Sequence, residues 1–167
     1  MPEKKYRVAI VPGSFDPITN GHISIVRRAA RDYDKVYLAV MINDAKTYTF
    51  TMDERVDIAR AAVQKIDGVE VISSAGYLWK LAEELDAVAI VKGVRNDADK
   101  EYELKMAEYN KARNPNAETV LLNTESELAG VSSTLVRDRL RRGEDISDLL
   151  PKNAAEMVVA YYGEKKL

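Results

Sequence analysis

Cysteine is absent from the 167 residues. That removes disulfides, thiolate metal sites and a cysteine nucleophile, and it fits a reducing compartment, so a cytoplasmic location is expected. Histidine is nearly absent, His22 being the only one. One histidine without cysteine cannot build a zinc-type cage, so no metal-ligating residue is expected. The charges are close to balanced, with 25 Lys and Arg against 27 Asp and Glu, which argues against a protein that coats nucleic acid. No run approaches the ~20 apolar residues of a transmembrane helix. The start, Met1-Pro2-Glu3-Lys4-Lys5-Tyr6, lacks the apolar stretch of a signal peptide. Neither a membrane nor a nucleic-acid partner is expected.

Several chemical motifs are missing as well. Without G-x-x-x-x-G-K-[ST] the chain is no P-loop kinase or ATPase. Without G-x-G-x-x-G after the first strand a dinucleotide cofactor is not expected. Without a G-x-S-x-G elbow, acyl transfer through serine has no support. A site that handles phosphate here must therefore rely on placed cations and dipoles rather than on a covalent nucleophile.

What is present is an alternation of two periods. Apolar runs of strand length stand at Arg7–Val11, Lys35–Ile42, Val69–Ser73, Ala87–Val91 and Thr119–Leu122. Several are apolar nearly throughout, as in parallel strands covered on both faces. Helical spacing marks Gly21–Tyr33, Met52–Lys65, Tyr77–Leu85, Asp97–Arg113, Ser133–Arg142 and Lys152–Tyr162. Thr51-Met52-Asp53-Glu54 reads as a capping box, and Gly143 stands where a helix should stop. The pattern predicts one α/β domain over 1–167, a doubly wound, Rossmann-like parallel sheet of five strands. Ligands are then expected beyond the carboxyl ends of the strands.

The suggestive residues fall at that edge. The first strand feeds Gly13-Ser14-Phe15-Asp16, and a helix starting at Gly21-His22 follows. Helix N-termini offer unpaired N–H groups and a positive dipole end to phosphate. The second strand feeds a loop with Lys46, the fourth feeds Lys92-Gly93-Val94-Arg95, and the fifth leads to Gly130-Val131-Ser132-Ser133-Thr134 at another helix start. Taken singly, each has a plain reading as a cap, a turn or a solvated charge. Together they gather a histidine, two lysines, an arginine and two helix N-termini, enough positive potential for a triphosphate and a second phosphate. Asp16 is placed either to reach a metal or to brace its turn. Arg137, Arg139, Arg141 and Arg142 read as complements to a helix dipole.

The ordered set of motifs resembles the bacterial phosphopantetheine adenylyltransferases, nucleotidyltransferases with an (H/T)-x-G-H motif, here Thr19-Asn20-Gly21-His22. The resemblance runs from Pro12-Gly13-Ser14-Phe15-Asp16-Pro17 through Lys46, Phe50–Arg55, Lys92–Arg95, Asp99–Glu103, Asn110 and Val131–Thr134 to Leu150-Pro151. It implies transfer of AMP from ATP to 4′-phosphopantetheine, giving dephospho-coenzyme A and pyrophosphate by direct in-line displacement. By the same resemblance His22, Lys46 and Arg95 are the catalytic group. Ser14, Phe15, His22, Gly93, Val94, Arg95 and Glu103 bind ATP, and so does Leu128-Ala129-Gly130-Val131-Ser132-Ser133-Thr134. Ser14, Lys46, Leu78 and Lys92 bind the acceptor. A homohexamer is also implied; magnesium held mainly by the ATP phosphates is expected from the chemistry of the triphosphate, and feedback by coenzyme A is left open by the sequence.

The implied chemistry is physically consistent. Two unit charges ~4 Å apart repel by about 4 kcal/mol at an effective dielectric near 20, and Lys46, Lys92 and Arg95 can offset that between acceptor and ATP. The chain departs from the family pattern in places. Lys92 stands where arginine is usual, Lys100 where the position is usually apolar or aromatic, and Asp44–Tyr48 replaces a more basic, proline-bearing loop. Tyr77-Leu78-Trp79 is bulky where the pantetheine arm should pass. A neighbouring nucleotidyltransferase acting on nicotinamide mononucleotide or joining cytidylate to an alcohol phosphate, and a non-catalytic nucleotide sensor, are the other readings. The former group usually carries a second histidine where this chain has Thr19.

Overall fold

A strand whose side chains are apolar on both sides of the pleat must be covered on both faces, and this requirement organises the molecule. The computed structural model describes residues 5–165. Its parallel sheet has the order β3-β2-β1-β4-β5, built from β1 (Val8–Gly13), β2 (Lys35–Met41), β3 (Val69–Ser74), β4 (Ala89–Val94) and β5 (Glu118–Asn123). The helices are α1 (Asn20–Asp32), α2 (Met52–Val63), α3 (Leu78–Glu84), α4 (Asp97–Arg113), α5 (Ser133–Arg142) and α6 (Lys152–Lys165), with a short 3₁₀ turn at Ser126–Leu128.

Alternation along the strands divides the core. Ala9 and Val11 of β1 join Val36, Leu38 and Val40 of β2 in the larger apolar layer, shared with α1, α2, α5 and α6. Val8, Ile10, Ala39 and Ile90 face the other way, onto Leu81 and Ala82 of α3. Helices thus cover both faces of one α/β domain, the expected doubly wound arrangement. Residues 1–4 and 166–167, the ends of the expected 1–167 span, lie outside the described residues. Among the described residues no helix is long and apolar enough to cross a membrane.

The expected elements are all present, and the differences lie at their ends. α1 begins one residue earlier than expected, capped by Thr19 in extended conformation, so His22 is the third residue of the helix. α2 stops at Val63, and α6 runs on to Lys165. The largest correction concerns β4. The expected strand ends at Val91, but pairing with β5 continues through Lys92↔Leu121, Gly93↔Leu122 and Val94↔Asn123. Lys92 and Gly93 therefore sit on the strand and not in a loop after it.

Two features of the frame position the site. β1 and β4 are hydrogen-bonded neighbours only at Ala9↔Ala89 and Ile10↔Ile90, although β1 runs to Gly13 and β4 to Val94. Past Ile10 the two strands have no shared ladder, and this is the topological switch point at which such sheets take ligands. On the larger face, α6 is strapped to α2: Lys165 Nζ lies 2.6 Å from Glu54 Oε1, the Tyr161 hydroxyl donates to Asp57 at 3.3 Å and Asn153 Nδ2 to the Ala61 carbonyl at 2.7 Å. α2 itself is opened by the capping box read from the sequence, Thr51 Oγ1 accepting from Glu54 N–H at 3.1 Å and Glu54 Oε1 from Thr51 N–H at 2.9 Å.

Close packing at β4 makes one glycine testable. A Cβ on Gly93 would meet Cγ1 of the buried Ile25 at 2.9 Å, whereas one on Gly130 would meet nothing within 4 Å. Gly93→Ala is expected to lose about 1–3 kcal/mol of stability through overpacking, and Gly130→Ala to stay within about 0.5 kcal/mol of the parent. Urea unfolding of the two variants checks the contrast.

Candidate active site

A cavity of about 460 Å³ opens where the β1–β4 ladder ends. Its wall includes Ser14, Phe15, His22, Lys46, Lys92, Gly93, Arg95, Glu103 and Val131 to Thr134. Residues far apart in the chain are thus brought together, as the position of their strands in the sequence implies.

The turn after β1 forms the floor and is held by side chains from elsewhere. Gly13 is required because a Cβ there would stand 2.9 Å from Cζ of Phe15, whose ring folds back over it. Phe15 has a φ of 48°, in the left-handed region that non-glycine residues seldom occupy. Asp16 is buried, and its two carboxylate oxygens accept from the backbone N–H groups of Thr49 and Phe50, each at 2.9 Å. Of its two readings, the structure shows Asp16 bracing the turn. Its carbonyl accepts from Arg137 Nη1 at 2.8 Å, and the next carbonyl, that of Pro17, from the Ser133 hydroxyl at 2.7 Å.

His22 is fixed in one orientation. Its Nδ1 accepts from the Thr19 backbone N–H at 3.0 Å, with the Thr19 hydroxyl 3.2 Å away. A nitrogen that accepts from an N–H carries no proton, so the neutral ring bears its proton on Nε2. Among the described residues nothing accepts from Nε2. The Phe15 ring meets the imidazole edge-on, centroids 5.1 Å apart. Burial, and after it the positive charge of Arg95, lower the pKa of His22 from an ordinary 6.5 to about 4. The ring is therefore a neutral hydrogen-bond donor at physiological pH.

The cations around it are held in readiness. Lys92 Nζ lies 2.8 Å from Glu103 Oε2. Asp99 Oδ2 accepts from the Arg95 backbone N–H at 3.2 Å and from Nε at 3.4 Å, which leaves the terminal amines of the guanidinium free of that carboxylate. Asp99 and Glu103 are one turn apart on α4 and so share a face. Lys46 is exposed at the rim. At the start of α5 the Ser132 hydroxyl caps Leu135 N–H at 3.1 Å, and the first-turn amides, which have no intrahelical acceptor, border the cavity.

Some expected residues stand outside the wall. Leu78 packs on the smaller apolar layer with α3 and is not among the residues that line this cavity. Val94 is buried in the sheet. Leu128, Ala129 and Gly130 form the 3₁₀ turn and its exit and are not in the wall. The Leu128 and Val131 carbonyls lie 3.9 and 3.4 Å from where a Cβ on Gly21 would stand, so this segment packs on the start of α1. Trp79 stacks on Tyr77 and is likewise absent from the wall. Residues that sequence reasoning missed include Arg137, Asp99 and Thr124, all in the wall. Only the position of Arg137, one turn after Ser133, could have signalled its place.

The donor set bears on metal binding. Asp16 gives both carboxylate oxygens to backbone N–H groups, while Glu103 and Asp99 are engaged by Lys92 and Arg95. Among the described residues no group of three or more His, Cys, Asp or Glu is placed around a metal position. Such a wall fits a hard divalent ion that brings phosphate oxygens and water as its ligands.

The chain as a whole is similar to known proteins. The model of the cytidylyltransferase-like family matches residues 10–139. A protein named phosphopantetheine adenylyltransferase from Heliobacterium modesticaldum is 44% identical over 157 residues, 94% of each chain. One of the same name from Lactobacillus helveticus is 43% identical over 150 residues, 89% of this chain and 92% of that one. A solved structure described as a nicotinate-nucleotide adenylyltransferase from Vibrio parahaemolyticus shares the fold, with a TM-score of 0.67 at 16% identity, over 93% of this chain and 99% of that one.

The sole histidine allows a clean titration. Its imidazole resonances are expected to shift with a midpoint near pH 4 in the ligand-free protein. Between about pH 4 and 6.5 the unfolded chain binds a proton there that the folded chain refuses. This contribution is therefore complete above 6.5, and stability falls as pH drops through the window. His22→Gln should flatten that part of the slope in denaturation midpoints measured from pH 7 to 4. A midpoint near 6.5 would show that the ring is not held as described.

Proposed function

The chain belongs to the phosphopantetheine adenylyltransferase family of cytidylyltransferase-like proteins, and we propose that it transfers the adenylyl group of ATP to 4′-phosphopantetheine, forming dephospho-coenzyme A and pyrophosphate. The observation that carries this reading is the neutral His22, whose Nδ1 is occupied and whose Nε2–H meets no acceptor among the described residues, at a helix start in a wall shared with Lys46, Lys92, Arg95 and Arg137.

In this reading an oxygen of the acceptor phosphate attacks the α-phosphorus of ATP. The bond to the bridging oxygen breaks, and pyrophosphate leaves with the electron pair. The acceptor phosphate is already ionised at neutral pH, so no general base is needed. Nε2–H of His22 donates to an α-phosphate oxygen as charge gathers there, and a neutral donor requires no proton transfer. Ser14 and Lys46 hold the acceptor phosphate from the turn and the rim. Lys92 joins them from β4 with a single ammonium rather than a guanidinium fork, and its hold is correspondingly less directional. Arg95 and the first-turn amides of α5 receive the β- and γ-phosphates, with Phe15, Gly93 and Glu103 against the nucleotide. A magnesium ion on the ATP phosphates would neutralise charge on the leaving pyrophosphate, its ligands being phosphate oxygens and water.

The remaining proposals rest on the surface and on ligand likeness. Tyr102, Leu104, Met106 and Tyr109 of α4 are exposed, and α4 buries only Asn110. A face of this kind supports self-association, proposed as a homohexamer. Coenzyme A shares the body of the product and is proposed to inhibit by occupying the same cavity. A cytoplasmic location is proposed from the cysteine-free composition.

The direct test is magnesium-dependent pyrophosphate release from ATP, with 4′-phosphopantetheine and nicotinamide mononucleotide offered separately. Release with phosphopantetheine alone is expected; release with the mononucleotide alone would move the protein to the neighbouring group. His22→Ala should lower kcat by about 10²- to 10³-fold, the usual effect of deleting one oxyanion donor, with little change in the KM for ATP. An unchanged kcat would remove the histidine from the mechanism.

A further inference from the structure

The loop between β2 and α2 holds contacts that the reaction as described does not use. Lys46 sits at the end of a tight turn. Its N–H donates to the Asn43 carbonyl at 2.9 Å, and the Ala45 N–H donates to Asn43 Oδ1 at 3.0 Å. The residue that starts this turn is gripped in its main chain by one side chain. The Asn43 N–H donates to the Tyr48 hydroxyl at 2.7 Å, and the same hydroxyl stands 3.4 Å from the Asn43 carbonyl. Residues 42–47 are otherwise exposed, so these bonds are competed for by water.

What steadies Tyr48 is Arg55. Its guanidinium carbon lies 4.0 Å from the centroid of the Tyr48 ring. Arg55 is only 2% exposed, an uncommon state for an arginine without a charged partner. Among the described residues no carboxylate lies within 4 Å of it. Nη1 instead donates to two carbonyls, that of Ser14 at 2.8 Å and that of Met41 at 3.2 Å, and Nε is buried without an acceptor. One side chain thus joins the turn after β1 to the end of β2, and the aromatic face lies on the joint. The connection runs from the Ser14 carbonyl through Arg55, the Tyr48 ring and hydroxyl and Asn43 to Lys46.

We infer that Tyr48 and Arg55 are positioning residues for the acceptor: by locking the loop of Lys46 to the turn of Ser14, they set the distance between the two groups that grip its phosphate. The inference rests on the proposed role of Lys46. The chemistry suits the task. A planar guanidinium can bond carbonyls at its edge while its face takes an aromatic ring. A buried cation attracts carbonyl oxygens and aromatic faces in place of water, so Arg55 and Tyr48 hold the Lys46 end of the loop, while the Asp16 carboxylate holds its other end through the Thr49 and Phe50 N–H groups. Tyr48 and Arg55 act through Lys46 and Ser14 and need not touch the substrate.

The experiment is a double-mutant cycle read by steady-state kinetics with each substrate varied in turn. Thermal melts confirm that each variant is folded. Tyr48→Phe keeps the ring and loses the bridge to Asn43; it is expected to raise the acceptor KM about three- to tenfold, the effect of one hydrogen bond. Tyr48→Leu also removes the aromatic face, and a rise of about ten- to thirtyfold is expected. Arg55→Lys, which cannot bond both carbonyls and also present a flat face, should resemble Tyr48→Leu. In the two Tyr48 variants the KM for ATP should stay within about twofold and kcat within about threefold, a split that general loss of structure does not produce. Lys46→Met should raise the acceptor KM by itself, and adding Tyr48→Leu to it should change little, because both act through one group.

Fully additive effects of Lys46→Met and Tyr48→Leu would overturn the positioning role while leaving Lys46 as an acceptor ligand. A Lys46→Met variant with unchanged acceptor KM would overturn the proposed role of Lys46 and this inference with it. Because Tyr48 is on a loop at the surface, its variants decide the matter even if Arg55→Lys fails to fold.

Discussion

The turn from Ser14 to Pro17 cannot satisfy its own backbone, and the cavity depends on how others satisfy it. The Ser14, Asp16 and Pro17 carbonyls accept from Arg55, Arg137 and Ser133, and the Asp16 side chain in turn takes the N–H groups of Thr49 and Phe50. Buried main-chain polar groups left without partners are costly, so these contacts are requirements rather than ornaments. They also fix α2 and α5 against the end of β1. The phosphate-facing amides, the histidine and the flanking cations derive their relative positions from this one knot of bonds.

Electrostatics then determines what the knot can hold. Lys92, Arg95 and Arg137 each have a carboxylate nearby, Glu103, Asp99 and Asp16 in turn, while His22 is uncharged. Without the carboxylates the cations would repel one another into solvent, and with His22 charged they would do so more strongly. In the proposed reaction the polyphosphate of ATP would add its negative charge to that of the carboxylates already beside the cations. The low pKa of His22 comes first from burial and only then from Arg95, which links it in part to the gathered cations.

Much of this was legible from residue order. Alternating strand and helix periods located every strand and helix, and parallel topology then put the ends of β1, β2 and β4 on one edge with His22, Lys46, Lys92 and Arg95. The failures have physical causes. Lys92 and Gly93 read as loop because charged residues and glycine fit strands poorly, yet pairing with Leu121 and Leu122 of β5 carries the strand past them. Arg55 enters the sequence reading only as the end of the Phe50–Arg55 motif, since nothing local shows that two carbonyls await it. Arg137 reads as a dipole complement, because its partner lies 121 residues away. What escaped was tertiary in origin, while what was found was local or topological.

The long reach of these bonds also has a kinetic meaning. Ser133 meets Pro17 across 116 residues, and Tyr161 meets Asp57 across 104. Contacts so distant along the chain form only after large loops have closed, and such closure is the slow part of folding. The binding floor is thus a product of the whole domain's closure and not of any one stretch of chain.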